Sequence, residues 1–166
     1  ALVHFALQVG ALCLVLLVVQ QDVAWGFIWI IPFAVLALMI FVLAFGILAA
    51  AANVYARDTQ HLLEMVVLGW FWLTPIVYPF GFVEGFLIKH GLPGWLPMLN
   101  PVTPVVMVMQ RALYGTTHTA TTRLLPDSSC WVYLRNVGIV GLVSIGLLYL
   151  ALRVFDRAEV NMAETL

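Results

Sequence analysis

Charge is the scarcest commodity in this sequence. Asp, Glu, Lys and Arg make up 9% of its 166 residues, whereas 64% are hydrophobic; an ordinary soluble domain carries about 25% charged and roughly 45–50% apolar residues. That shortage excludes a water-soluble fold, because too little polar surface exists to cover the apolar remainder. Seven Lys and Arg against eight Asp and Glu leave a formal net charge of -1. No basic surface is therefore available to hold nucleic acid by neutralising its phosphates.

Other absences narrow the chemistry. Cysteine occurs twice, at Cys13 and Cys130, one inside an apolar run and one just before another, which excludes a disulfide framework. The four histidines, His4, His61, His90 and His118, show no paired ligand spacing, so no metal site is expected. A phosphate cradle is missing too, since the glycines of residues 81–91 lack the Lys-Ser/Thr that must follow. ATP is expected to be hydrolysed by another subunit. The carboxylates form no acid–base pair: Asp58 and Glu64 lie about two helical turns apart, and Glu84 is distant. No catalytic residue is expected. Ala1 opens almost directly into an apolar run without a basic flank, unlike a signal peptide, and the chain reads as a fragment missing its N-terminal part.

What remains is long apolar runs. A bilayer core about 30 Å thick needs about 20 mostly apolar residues per helix. Residues 2–20, closed by Gln20, Gln21 and Asp22, read as one span. Residues 25–52 read as a second, longer than needed and carrying Pro32, with a helix start or tilt near that proline. The turn between them is short, which makes the two antiparallel neighbours. The polar elbow at residues 53–61 follows, where Asp58 and Thr59 suit a helix N-cap. Residues 62–82 read as a third span, with Pro75 and Pro79 bending or ending its helix. Residues 131–154 read as the last, with Arg135 snorkelling toward headgroups and a mixed-charge tail beyond.

Between the last two spans, residues 83–130 are apolar but cut by glycine and proline into pieces too short to span. Residues 103–115 read as a helix of about three turns, with Thr103 as N-cap, Pro104 at the first helical position and Gly115 as stop. Short pieces of this kind suit re-entrant or interfacial helices. The fold class expected is thus an all-α membrane protein: a polytopic bundle of four spanning helices, with short gate helices before the last. Positive charge does not orient it. Arg57, Arg153 and Arg157 lie on one side and Lys89, Arg111, Arg123 and Arg135 on the other.

Four motifs stand in order between these spans: Asn53-Val54-Tyr55-Ala56-Arg57-Asp58, Trp70-Phe71-Trp72-Leu73-Thr74-Pro75-Ile76-Val77-Tyr78-Pro79, Leu99-Asn100-Pro101 and Arg111-Ala112-Leu113-Tyr114-Gly115. Their order resembles the permease subunit of ABC-type polysaccharide exporters, the class that exports O-antigen, teichoic acid, capsule and lipid-linked galactan. The resemblance covers nearly the whole chain. It implies that residues 1–166 are the C-terminal part of a single transmembrane permease domain in a bacterial cytoplasmic membrane, crossing several times. The elbow and tail would face the cytoplasm, and residues 83–130 would form an outer gate.

The resemblance further implies a homodimer of permeases, two ATP-binding subunits that use ATP and Mg, membrane lipids around the chain, and a lipid-linked glycan as substrate. The chain itself would bind no cofactor. Sugar rings present apolar C–H faces that pack on aromatic rings, and the channel candidates are Trp70, Phe71, Trp72, Tyr78 and Phe80. Neighbouring helical positions point about 100° apart, so not all can face one channel, and an interfacial aromatic belt is the alternative. Pro75, Pro79, Asn100, Pro101, Arg111 and Gly115 are gate or kink candidates, with a fixed kink and interfacial snorkelling as the plainer readings. Tyr55, Arg57 and Asp58 are candidates for coupling to the ATPase, or for helix ending and capping. Three other classes stay open: a small-molecule or lipid efflux permease, a multispan enzyme acting on lipid-linked substrates through Arg111, His118 and Asp127, and an assembly or scaffold subunit with no substrate.

Overall fold

The computed structural model describes residues 24–55, 59–114 and 124–163, with eight further helical positions between residues 3 and 15. The regular structure of the described residues is all helical, without strands. A short turn, α1 (Trp25–Ile28), leads into α2 (Ile31–Tyr55), which starts where Pro32 favours a first turn. α3 (Thr59–Leu73) returns alongside α2, and α4 (Phe80–Lys89) follows an unwound stretch. A 3-10 turn at Leu96–Leu99, then α5 (Val102–Tyr114) and α6 (Cys130–Ala163) complete the chain.

Among the described residues, two helices are long and apolar enough to cross a membrane, Trp25–Asn53 and Cys130–Arg157. The expected four-span bundle is therefore not what forms. Of the missing spans, residues 2–20 lie mostly outside the described residues. Residues 62–82 supply the physical reason: their helix has 15 residues and stops at Leu73, about 22 Å of helix against a core of about 30 Å. Pro75 and Pro79 lack the N–H groups that continuation needs. The chain unwinds and restarts as α4.

α2 and α6 form the backbone of the fold, and they run parallel. Cys130 Sγ lies 3.5 Å from the Gly26 carbonyl, the Phe27 and Tyr133 rings meet edge-on at 5.4 Å, and a Cβ at Gly141 would lie 3.9 Å from that of Ala37. Numbers rise together along both helices. The buried positions are Ile30, Ala34, Ala37, Phe41, Ala44 and Ala51 on one side and Tyr133, Val137, Val140, Ser144 and Ala151 on the other. Their alternating three- and four-residue spacing is that of a left-handed helix pair. Alanine, serine and glycine along this seam let the backbones approach closely, the packing that association in lipid depends on. Ser144 is buried with its hydroxyl donated to the Val140 carbonyl at 2.7 Å, which leaves no polar group to seek solvent.

The outward faces are apolar as well. Phe33, Leu36, Val42 and Leu43 on α2 and Leu142, Val143, Ile145 and Leu150 on α6 are all exposed. α5 closes the first turns of the pair, contributing Val105, Met107 and Val108 to a core shared with Phe80, Leu125 and Tyr133. α3 touches α2 lightly and has no buried residue. α6, at 34 residues, measures about 51 Å. The charged tail is thus a rigid continuation of this helix through Arg153, Asp156 and Arg157.

Overfilling the seam is expected to cost stability. Ala44→Leu places a branched side chain where Ala44 is fully buried, and should destabilise by about 1–3 kcal/mol. The unfolding midpoint in detergent measures it. Met39→Leu, on the exposed face, should stay within about 0.5 kcal/mol.

Candidate functional site

The broken end of α3 determines the local chemistry. Its last carbonyls run short of helical partners where proline follows, and side chains supplement or replace them. Trp70 C=O accepts from the Thr74 hydroxyl at 2.8 Å and from the Thr74 N–H at 3.1 Å. Trp72 C=O accepts from the Tyr78 hydroxyl at 2.6 Å. Pro75 C=O, in the unwound stretch, accepts from the Gln110 amide of α5 at 3.2 Å.

Asn100 ties this break to the segment beyond. Its Oδ1 accepts from the Trp70 indole N–H at 2.9 Å and from the Val102 N–H at 3.0 Å, while its Nδ2 donates to the Thr74 hydroxyl at 2.8 Å. One side chain thereby caps α5 and pins both Trp70 and Thr74. Thr103 was expected to cap this helix. Instead Asn100 takes that role from two residues before Val102, and Thr103 lies buried inside the first turn.

The aromatic candidates separate into different environments. Trp70 is packed against Phe41 at 5.9 Å and Phe45 at 5.7 Å, so its ring is fixed on the face as well as at its N–H. Phe80 is 1% exposed and belongs to the core. Phe71 and Trp72 meet edge-on at 5.8 Å and are 42% and 60% exposed. Tyr78 is half-buried, and burial raises its phenol above the ordinary value of 10.0.

Trp70, Tyr78 and Asn100 converge on a cavity of about 460 Å³, walled otherwise by Leu73, Val83, Leu87, Leu96, Pro97, Leu99 and Pro101. Its size is that of a small-ligand site. A larger cleft of about 700 Å³ separates α2 from α3, running from Asn53, Gln60 and Glu64 to Phe71. The smaller cavity is the stronger candidate, because Trp70, Tyr78 and Asn100, each fixed by a hydrogen bond, converge there within apolar walls. Asn53, Gln60 and Glu64 all lie near the junction of α2 and α3, where polar residues need no ligand to explain them.

Of the remaining candidates, Pro75 is buried in the break, Pro79 precedes α4, and Pro101 lines the cavity. Arg111 is drawn to the other side of α5, its guanidinium 5.0 Å from the Phe27 ring. It does not join the Asn100 cluster. Gly115, Arg57, Asp58 and His118 lie outside the described residues, and Tyr55 is described only as the end of α2. Sequence reasoning missed Gln110 and Thr74 as ties across the break. A polar residue four positions after Trp70 and immediately before Pro75 was the available signal. Among the described residues no three His, Cys, Asp or Glu side chains gather as a metal site.

The chain is 26% identical over 165 residues to the O-antigen export system permease protein RfbA of Myxococcus xanthus, a match covering 99% of this chain and 56% of that protein. It therefore spans about half the length of the curated relative it matches. No family model and no solved structure matches it.

The Asn100 cluster should behave as one energetic unit. In a double-mutant cycle, Trp70→Phe and Asn100→Leu should couple by about 0.5–3 kcal/mol, as residues sharing a hydrogen-bond network do. Additive shifts in unfolding free energy would mean the tie contributes nothing.

Proposed function

We propose that the chain is part of the transmembrane subunit of an ATP-driven exporter that moves a polyprenyl-lipid-linked polysaccharide across a bacterial cytoplasmic membrane. The observation that carries this reading is the broken helix end. A run of aromatic residues there stops short of a bilayer's depth and is fastened by Asn100 beside an apolar cavity. Similarity to an O-antigen export permease along almost the whole chain supports it.

In this reading α2 and α6 cross the bilayer, and two copies of the permease enclose the path of the glycan. Trp72 and Phe71, exposed at the end of α3, offer flat faces to sugar rings, which slide from one ring to the next because such contacts lack fixed hydrogen-bond geometry. Trp70 and Tyr78 form a fixed wall, and Phe80 packs the gate against the core. The unwound backbone between Thr74 and Pro79 provides the element that can change shape, with Asn100 holding its resting arrangement. Arg111 stands on the gate helix α5, where it would meet a lipid phosphate. ATP and Mg belong to two partner subunits, toward which the elbow carrying Tyr55, Arg57 and Asp58 would transmit motion.

The test uses vesicles containing the complete transporter, with ATP-dependent movement of lipid-linked glycan as the readout. Trp72→Ala should slow movement roughly two- to tenfold, the effect of losing a contact worth ~0.5–1.5 kcal/mol, and leave assembly and unfolding midpoint unchanged. Trp70→Ala should lower both movement and midpoint. Undiminished movement in Trp72→Ala would remove the sliding mechanism, and chemical conversion of the glycan by the chain alone would favour an enzyme instead.

A further inference from the structure

Aromatic rings beside a cavity suggest a sugar site, but the hydrogen bonds around the cavity at the α3 break argue against one. The Trp70 indole has a single N–H, and it is spent on Asn100 Oδ1. That oxygen also takes the Val102 N–H, so both of its lone pairs are engaged. Asn100 Nδ2 donates to the Thr74 hydroxyl, and the Tyr78 hydroxyl donates to the Trp72 carbonyl. Of the donors on Trp70, Tyr78 and Asn100, one Nδ2 hydrogen is left over. Pro97 and Pro101 bring no N–H to the wall. The rest of the lining is Leu73, Val83, Leu87, Leu96 and Leu99, and no charged side chain stands among the described residues of the wall. A sugar ring carries several hydroxyls, each of which needs a partner once it leaves water. This cavity has almost none to give.

Water is a poor occupant for the same reason, since an ordered water needs about two to four polar partners. The depth of the cavity points to hydrocarbon instead. Trp70 packs on Phe41 and Phe45. Phe41 stands about 24 Å from Trp25 and about 18 Å from Asn53 along the helical run, at about 1.5 Å per residue. Those two residues bound a segment long and apolar enough to cross a bilayer, so Trp70 is held well inside it. The cavity's own Leu73 and Leu99 are 73% and 67% exposed, which makes its opening apolar as well.

We infer that this cavity is a binding site for one hydrocarbon chain, the acyl chain of a bilayer phospholipid, and that it excludes sugar. Such a chain restores the dispersion contacts that an empty space would forfeit and asks for no hydrogen bond. Trp70 and Tyr78 then act through their apolar ring surfaces, and the chain, packed between Leu73 of α3 and Leu87 of α4, braces the two sides of the break. A segment of protein backbone fits less well, because its N–H and C=O groups would face walls that cannot pair them. The inference rests on the membrane seating of α2 and α6, not on the identity of the cargo, so failure of the glycan experiment leaves it standing.

The test reconstitutes the complete transporter in phosphatidylcholine vesicles whose acyl chains carry bromine, and isolates Trp70 emission by subtracting the Trp70→Phe variant. Brominated chains should quench Trp70, and soluble oligosaccharide should leave its emission unchanged. Val83→Phe with Leu87→Phe, which fills the cavity from α4, should lose most of that quenching, while emission from Trp131, at the start of α6, responds as before. Leu99→Phe repeats the filling from the segment before Asn100, should the double variant not fold. Absence of quenching in the unsubstituted protein would overturn the inference, because protein would then cover the wall. Quenching undiminished in the filled variants would overturn it too, since the bromines would reach the ring from elsewhere. So would relief of quenching by soluble oligosaccharide, which would make sugar the occupant, or by a trace of isoprenoid alcohol, which would give the cavity to the chain of a carrier lipid.

Discussion

Peptide groups in apolar surroundings need partners, and the point where α3 breaks is where that requirement is hardest to meet. Each carbonyl released by proline would cost several kcal/mol if left in hydrocarbon. Here the Tyr78 hydroxyl and the Gln110 amide take up the Trp72 and Pro75 carbonyls, while the Thr74 hydroxyl adds a second donor to the Trp70 carbonyl. The break can therefore exist only because α5 is brought close, and α5 is brought close because Asn100 caps it while holding Trp70 and Thr74. Remove that carboxamide and both the helix start and the helix stop lose their fastening.

The seam between α2 and α6 supplies the frame for this arrangement. Small residues bring two long helices together over much of their length, and the core at their first turns receives Phe80, Val105 and Tyr133. Because the pair runs in one direction, the chain must travel back along it between Tyr55 and Cys130. α3 covers only part of that distance, and the unwound stretch with α4 and α5 occupies the rest. The irregular segment is thus a consequence of topology as well as of proline.

Much of this was legible in the residues. The apolar runs at 25–52 and 131–154 correspond to α2 and α6, and the short helix expected over 103–115 is α5 within one residue at its start. Pro32 marks the beginning of α2. The run at 62–82 was misjudged because hydrophobicity alone continues through Pro75 and Pro79, while the backbone cannot. Length was counted in residues when it should have been counted in hydrogen bonds. The Asn100 cluster was not readable, since its partners are 26 and 30 positions away and no local spacing announces them. Nor was the seam, because α2 is apolar on every side and its buried face differs from its exposed face in side-chain size rather than polarity. Exposed Trp72 and packed Trp70 likewise look alike in sequence.

The parallel course of α2 and α6 also has an electrical side. Peptide dipoles aligned along a helix leave roughly half a positive charge at its N-terminus, and an antiparallel neighbour would offset it. These two helices add theirs at the end that carries Trp25 and Trp131, and the shorter returning helices α3 and α5 offset only part of it. A negatively charged group meeting that end finds a partial positive charge supplied by main-chain N–H groups, which substituting a neutral side chain leaves in place.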